Sequence, residues 1–251
     1  MNAADQPNPD DLRPIDWTEA EPTRLQRDLR DVADFNTAFG ATLQYASPGT
    51  TLSTIVGSSR TTPGMAAGWS DAPDQTTFDH GGWHGTLPLW PFDRHAPDGL
   101  DALTGGTGLE FTLIYPAAYP MVPPTIWPLA PEPEMVERTQ ATWHVLPSGG
   151  LCLLQSDGAW QPEASLVELL LKAAGWRVEY ALMKAHAIEA MAVSGIVSDT
   201  SFDHLVTQAA TAPTTQGPPS GVGGRPSGEP TTDPENPSQA ESPAQVEEPE
   251  P

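Results

Sequence analysis

Apolar residues recur at helical spacing in the first strongly patterned part of the chain. The repeat consists of Leu25, Leu29, Val32, Phe35 and Phe39. Residues three or four apart share one face of a helix, with Thr23 as a suitable cap and Gly40 as a suitable stop. Oppositely charged residues one turn apart are expected on the outer face. These pairs are Arg24 with Asp28, Arg27 with Asp31, and Arg30 with Asp34.

A period of two replaces the helical period in residues 109–115. Leucine, phenylalanine, leucine and tyrosine alternate there onto one face, which is the clearest strand signal in the chain. Weaker strand candidates, some of them rich in β-branched residues, are 42–45, 50–56, 83–89 and 125–127. Residues 57–82 and 91–108 have the Gly-, Ser- and Pro-rich character of loops.

Helical signals return after residue 164. Ser165 and Glu168 form a capping box, and the helix that they open carries apolar residues as far as Met183. Gly175 weakens the middle of this helix and allows a break there. Residues 201–210 predict a short last helix. Because strands and helices are segregated along the chain, we expect an α+β fold with an antiparallel meander sheet, an N-terminal helix and C-terminal helices.

The two ends of the chain lack the apolar residues that a core requires. Residues 1–20 are polar and rich in Pro and Asp, and residues 211–251 are acidic, Pro-rich and free of aromatic residues. Segments of this composition are expected to be disordered. The sequence therefore predicts one folded domain over residues 21–210.

Charge excludes two classes of partner. The formal net charge is −22, from 33 acidic and 11 basic residues, whereas nucleic acid and anionic membranes both require a basic face. The sequence begins without a basic segment followed by an apolar run, and no window is long and apolar enough to span a bilayer. A single cysteine also suits a reducing compartment, so we expect a cytoplasmic protein.

Residues 143–154 hold the only cysteine of the chain, Cys152. A Gly-Gly turn precedes it, His144 lies eight positions before it, and two leucines follow it. A lone cysteine is either core filling or a nucleophile, so burial among these leucines is the structural alternative. A Cys–His hydrolase is a further alternative, although its cysteine would begin a helix or an elbow.

Three groups of residues, taken in order, resemble the ubiquitin-conjugating enzyme family. Residues 115–124 resemble the end of a family strand, with aromatic-Pro, Tyr-Pro and Pro-Pro pairs separated by two residues each. Gly150–Leu153 is similar to the family's Gly-x-aliphatic-Cys-Leu sequence, shortened by one residue. Trp160–Pro162 resembles the family's Trp-x-Pro and follows Cys152 at the family's spacing of eight positions. The helix opened at Ser165 resembles the family's next helix.

This resemblance implies a ubiquitin-conjugating-enzyme-like fold and a transferase activity. Cys152 would carry the C-terminus of a ubiquitin-like or other protein as a thioester and pass it to an amine. The implied partners are that modifier, an activating (adenylating) enzyme in trans, and an acceptor protein, for which a nucleotide cyclase is one candidate. No metal or organic cofactor is implied. The divergent motifs resemble those of bacterial relatives from antiphage or ubiquitin-like modification operons.

One departure from the family pattern concerns the family's His-Pro-Asn motif. Here only its histidine is present, as the second candidate catalytic residue, His144, followed by Val-Leu. The histidine would brace the loop by a backbone hydrogen bond or act on the attacking amine. The family's asparagine stabilises the oxyanion. Ser148 and the amides of Gly149 and Gly150 are candidates to replace it, and Asp157 is either an orienting group or part of a plain turn.

The sequence also leaves interpretations other than a transferase open. A non-catalytic domain of the same fold would bind a ubiquitin-like partner; the missing asparagine favours it and Cys152 opposes it. A zinc site from Asp79, His80, His84 and His95 lacks a helical histidine pair or a cysteine pair. The acidic tail would recruit a basic partner or only aid solubility. The chain contains only two lysines, which reflects either codon bias or the advantage of few amines beside a thioester.

Overall fold

The structure is a computed structural model, and it describes residues 15–53, 75–154, 159–192, 196–197 and 200–211. The helices are α1 (Trp17–Ala20), α2 (Pro22–Phe39), α3 (Leu100–Thr104), α4 (Leu166–Lys184) and α5 (Asp203–Thr211). The strands are β1 (Gln44–Ala46), β2 (Thr50–Ser53), β3 (Gln75–Phe78), β4 (Gly82–Leu87), β5 (Leu109–Ile114) and β6 (Thr125–Ala130).

Four strands form an antiparallel sheet in the order β1-β4-β5-β6, and β2 pairs with β3. Gln44 pairs with His84 and Thr50 pairs with Phe78, so β2–β3 continues the β1–β4 register beyond a short interruption. The alternating residues of β5 are all buried, as the sequence predicts. The α+β class is therefore confirmed, with helices beside a small antiparallel sheet.

The N-terminal part of the fold begins earlier than the sequence predicts. Residues 17–20, expected to be disordered, form α1, and the Trp17 side chain is buried. Its Nε1 donates to the carbonyl oxygen of His80 at 2.7 Å, and the His80 Nδ1 lies 2.8 Å from the Asp16 carboxylate. These contacts tie α1 to the turn between β3 and β4. Residues 1–14 lie outside the described part of the chain.

Two expected loop regions contain regular elements. Strand β3 falls within residues 57–82 and helix α3 within residues 91–108; both are short and were hidden by the surrounding Gly- and Pro-rich sequence. The sequence of β3 has no strand pattern of its own. It forms a strand because it pairs with β2, in the register that β1 and β4 set. Residues 54–74 lie outside the described residues; they comprise the end of the expected strand 50–56 and the first part of the expected loop 57–82.

Helix α4 runs unbroken through Gly175, where a break was allowed. The Ser165 Oγ accepts a hydrogen bond from the Val167 amide at 3.2 Å and caps the helix as predicted. A Cβ at Gly175 would lie 3.1 Å from a methyl group of Ile196, so the glycine permits close packing of the segment after the helix. Every residue from Ala173 to Met183 is buried, which makes α4 the central helix of the core. The predicted last helix is present as α5.

No helix among the described residues has both the length and the apolar character needed to cross a bilayer.

Candidate functional site

Cys152 stands at the base of a small hairpin formed by residues 144–152. Val145 and Leu151 pair across it, and the Leu146 amide donates to the Gly150 carbonyl oxygen at 2.7 Å. Gly149 turns the chain with a φ of 97°, a conformation that disfavours side chains. At the open end, the Cys152 amide donates to the carbonyl oxygen of His144 at 2.8 Å. The two candidate catalytic residues are therefore joined through their backbones.

The hairpin is fixed to the sheet on one side and to α4 on the other. The Leu151 amide donates to the Ile126 carbonyl oxygen at 2.8 Å, which docks the hairpin on the free edge of β6. On the opposite side, Trp176 Nε1 of α4 donates to the carbonyl oxygen of Trp143 at 2.9 Å. Both ends of the segment are thus held by rigid elements, as a reactive group requires.

Cys152 itself is exposed, although the side chains around it are not. Val145 and Leu151 are buried, and Leu153 and Leu154 are partly buried against the core. The alternative of a buried structural cysteine is therefore wrong for this chain. The flanking aliphatic residues hold the segment in place while the thiol remains open to solvent.

His144 adopts a left-handed backbone conformation, with a φ of 49° and a ψ of 42°. Its side chain is half-buried, and this burial lowers the pKa of the imidazole below its ordinary value. The neutral ring is therefore favoured at neutral pH. What connects His144 to Cys152 in the described structure is its carbonyl oxygen, which is consistent with the bracing role.

A substitution series at His144 separates its backbone from its ring. If bracing is its role, His144→Gly and His144→Asn should keep wild-type acylation of Cys152 by a peptide thioester, because both residues tolerate a positive φ. His144→Val should destabilise the hairpin by about 1–2 kcal/mol, because its branched Cβ crowds the backbone. Acylation, urea unfolding and hydrogen exchange of the Cys152 amide measure these effects. Loss of acylation in the Gly and Asn variants, with that amide still protected, would instead assign the function to the ring.

The candidates to replace the missing asparagine differ in their distance from Cys152 and in their hydrogen bonds. Ser148 is exposed at the hairpin tip, at the opposite end from Cys152. The Gly149 amide already donates to the Leu146 carbonyl oxygen at 2.8 Å, and Gly150 is buried against Thr125 of β6. The Gly149 amide is therefore engaged within the hairpin and does not serve as an oxyanion donor in this conformation. Asp157 lies outside the described residues.

Two of the segments that carry the family resemblance, the Tyr-Pro segment and the Trp160 segment, contact each other. Trp160 Nε1 donates to the Pro120 carbonyl oxygen at 2.7 Å, and its ring centroid lies 6.2 Å from that of Tyr119. The peptide bond between Tyr119 and Pro120 is cis. The Tyr-Pro segment leads into β6, on whose edge the hairpin docks. The chain after Cys152 is thus joined to the segment that precedes β6.

A buried ion pair lies beside the contact between Tyr119 and Trp160, whereas the sequence pattern predicts it at the surface. The Arg24 Nε lies 3.0 Å from the Asp28 carboxylate, and both side chains are buried. Arg24 also donates to the carbonyl oxygens of Pro162 and Ala164 and to the hydroxyl of Tyr119. The expectation of an outer-face pair is wrong because residues 24 and 28 share the helix face of Val32 and Phe35. That shared spacing is the sequence signal that identifies them as buried.

Asp28 is also the acceptor for two tyrosines. Its Oδ2 accepts from the Tyr119 hydroxyl at 2.6 Å and from the Tyr115 hydroxyl at 3.2 Å. Burial raises the pKa of the Asp28 carboxyl, while the hydrogen bond from Tyr119 and the charge of Arg24 oppose that rise. Burial and the neighbouring carboxylate likewise raise the pKa of both tyrosines. The network therefore fixes α2 to the Tyr-Pro segment and to the chain after Trp160.

The zinc alternative finds no support among the described residues, which include no group of three or more His, Cys, Asp or Glu side chains placed to hold a metal ion. Of the four residues proposed for it, His80 instead contacts Asp16. The ring of His84 faces Phe78, with centroids 6.4 Å apart.

Comparison of the chain with protein-family models, with curated protein sequences and with solved structures yields no match.

Proposed function

We propose that this protein has a ubiquitin-conjugating-enzyme-like fold and acts as an acyl transferase. Cys152 receives the C-terminus of a ubiquitin-like or other protein from an activating enzyme and holds it as a thioester. An amine of an acceptor protein then attacks the thioester carbonyl and forms an amide, and the thiolate leaves. The setting that we propose is a bacterial modification pathway, with antiphage defence as its role.

The observation that carries this proposal is the exposed Cys152 at the base of a hairpin fixed to the edge of β6. An acyl carrier needs a thiol that a large partner can reach and that does not move freely. The order of elements supports the same proposal, because a helix and an antiparallel sheet precede the cysteine and a capped helix follows it.

The hairpin also limits how the site can stabilise an oxyanion. The amides of Leu146, Gly149, Leu151 and Cys152 all donate to backbone carbonyl oxygens. They are not available to a thioester carbonyl unless the hairpin opens. Donors for the oxyanion therefore come from outside these four amides, either from this chain or from a partner.

The decisive experiment incubates the protein with ATP, an adenylating enzyme and a ubiquitin-like protein, the last two taken from the same organism as this chain. We expect an adduct that a reducing agent cleaves and that Cys152→Ala abolishes. Cys152→Ser should give an ester that resists the reducing agent. The activity of the adenylating enzyme is verified separately by ATP–pyrophosphate exchange.

Absence of any adduct with a verified adenylating enzyme would refute the transferase. The non-catalytic alternative, favoured by the missing asparagine, predicts a different pattern. In that case the ubiquitin-like protein binds with the same affinity to the parent chain and to Cys152→Ala, and no covalent adduct forms with either.

A further inference from the structure

The two lysines of the chain, Lys172 and Lys184, both lie on α4 and have different surroundings. If Cys152 carries a thioester, each lysine is an amine within the same molecule. An intramolecular amine reacts far more readily than a free one when geometry allows approach, because the two groups are already held together. The environment of each lysine therefore decides whether it competes with the acceptor protein.

Lys184 is held by carboxylates. Its Nζ donates to Glu134 at 2.6 Å and to Glu137 at 2.8 Å, and it lies 6.0 Å from the ring centroid of Trp143. The hydrogen bonds to Glu134 and Glu137 raise the pKa of Lys184 well above its ordinary value. A protonated amine has no lone pair for nucleophilic attack. Lys184 is therefore a structural cation that fastens the end of α4 to residues 134–137.

Lys172 lies beside Leu153, the residue after Cys152, and is not held by carboxylates in this way. Its half-buried side chain places Nζ 3.5 Å from the carbonyl oxygen of Leu153, the residue after Cys152. A contact of this length is weak. No carboxylate in the described part of the chain forms an ion pair with Lys172. Standard bond lengths place its Nζ within about 12 Å of the Cys152 Sγ, a gap that rotation of the flexible lysine and the exposed cysteine side chains can narrow.

We propose that Lys172 is a self-modification site, an inference that rests on the proposed function of Cys152. The lone pair of the neutral Lys172 amine attacks the carbonyl carbon of the Cys152 thioester. The carbon–sulfur bond breaks, and its electron pair leaves with the thiolate. The nitrogen gives one proton to solvent, and an isopeptide bond remains on Lys172. The transfer empties Cys152 without an acceptor protein, so it limits the lifetime of the loaded enzyme.

The test loads Cys152 chemically with a fluorescent peptide thioester that ends in Gly-Gly, so no activating enzyme is required. Thiol exchange gives an adduct that a reducing agent cleaves, and transfer to lysine converts it into a resistant amide. We expect the resistant adduct in the parent chain and in Lys184→Arg, with the label mapped to Lys172 by mass spectrometry. We expect its loss in Lys172→Arg, which keeps the positive charge, and in Cys152→Ala.

A resistant adduct that persists at the parent level in Lys172→Arg would overturn the inference. Transfer between molecules is tested by mixing the Cys152→Ala chain, which keeps Lys172, with the Lys172→Arg chain, which keeps Cys152. Label on Lys172 of the Cys152→Ala chain would refute transfer within one molecule.

The inference and the proposed function fail in different ways. Chemical loading does not depend on the partner proteins, so the peptide assay tests Lys172 even if enzymatic loading fails. Conversely, a reductant-sensitive adduct with the partner proteins, without label on Lys172 in the peptide assay, leaves the transferase standing and overturns only the self-modification.

Discussion

Replacement of Asp28 by alanine is expected to lower the free energy of unfolding by about 3–5 kcal/mol. The carboxylate is fully buried and is the counter-charge of the buried Arg24 guanidinium. Without it, the guanidinium keeps its charge in a site from which water is excluded. Two tyrosine hydroxyls, of Tyr115 and Tyr119, also lose their acceptor. Urea unfolding followed by circular dichroism measures the loss.

The same helix offers a matched control. Arg27 and Asp31 have the same residue types at the same spacing, but their side chains are 36% and 27% exposed and their closest N–O distance is 3.5 Å. Exposed pairs contribute little, because water and salt screen them. Asp31→Ala should therefore lower the unfolding free energy by less than about 1 kcal/mol. Equal losses in the two variants would contradict the assignment of Asp28 to a buried network.

A double-mutant cycle separates the interaction energy of the ion pair from the penalty of leaving one buried charge unpaired. Arg24→Met removes the buried charge, and Asp28→Asn keeps an acceptor for the tyrosine hydroxyls. We expect the double variant to lose less unfolding free energy than the two single variants lose together, because neither charge is left without its partner. Additive losses would show that Arg24 and Asp28 do not interact.

The sequence predicts those elements whose periodicity reflects burial on one face. Strand β5 is the clearest case, because its three alternating apolar residues are buried in the structure, as is Tyr115 directly after it. The same reasoning predicts helix α2, yet it places two buried positions of that helix at the solvent-exposed face. The charge pair of Arg24 and Asp28 resembles a surface pair in sequence, and only its shared face with Val32 and Phe35 distinguishes it.

Elements stabilised by distant partners were missed. Strand β3 reads Gln-Thr-Thr-Phe, with no alternation, and becomes a strand because it pairs with β2. Trp17 is isolated in a polar segment, and it is buried because its ring packs against Tyr115 and Tyr119 and its indole donates to the carbonyl oxygen of His80. Local sequence carries neither of these long-range contacts, so composition wrongly favoured a loop and a disordered segment.

In the candidate site, too, the local sequence predicts some features and tertiary contacts determine the others. Its sequence predicts a Gly-Gly turn before Cys152, and Gly149 does turn the chain. The sequence left open whether the adjacent leucines bury the thiol, because burial depends on how the hairpin docks on β6. The position of Lys172 beside Leu153 also depends on packing, since the two residues belong to different elements. Residue types thus indicate the chemistry, and the tertiary contacts decide which groups can take part.

Trp160→Ala is expected to lower the free energy of unfolding by about 3–5 kcal/mol, the range for removing a buried large aromatic side chain. The indole is only 8% exposed and joins the segment after Cys152 to the Tyr-Pro segment through its hydrogen bond to Pro120. The guanidinium of Arg24 lies 5.8 Å from its ring centroid. Removing the ring therefore leaves a cavity between α2 and the Tyr-Pro segment.

Trp160→Phe distinguishes the hydrogen bond from the packing. This variant keeps an aromatic ring against Tyr119 and loses the bond to the Pro120 carbonyl oxygen, so we expect a loss of about 1 kcal/mol. Urea unfolding measures both variants, and acylation of Cys152 by the peptide thioester reports on the site. Because Arg24 still donates to the Ala164 carbonyl oxygen at 2.9 Å, the start of α4 should stay in place in both. A loss below about 1 kcal/mol for Trp160→Ala would mean that this segment is not part of the cooperative core, and that Cys152 is held by the β6 edge and α4 alone.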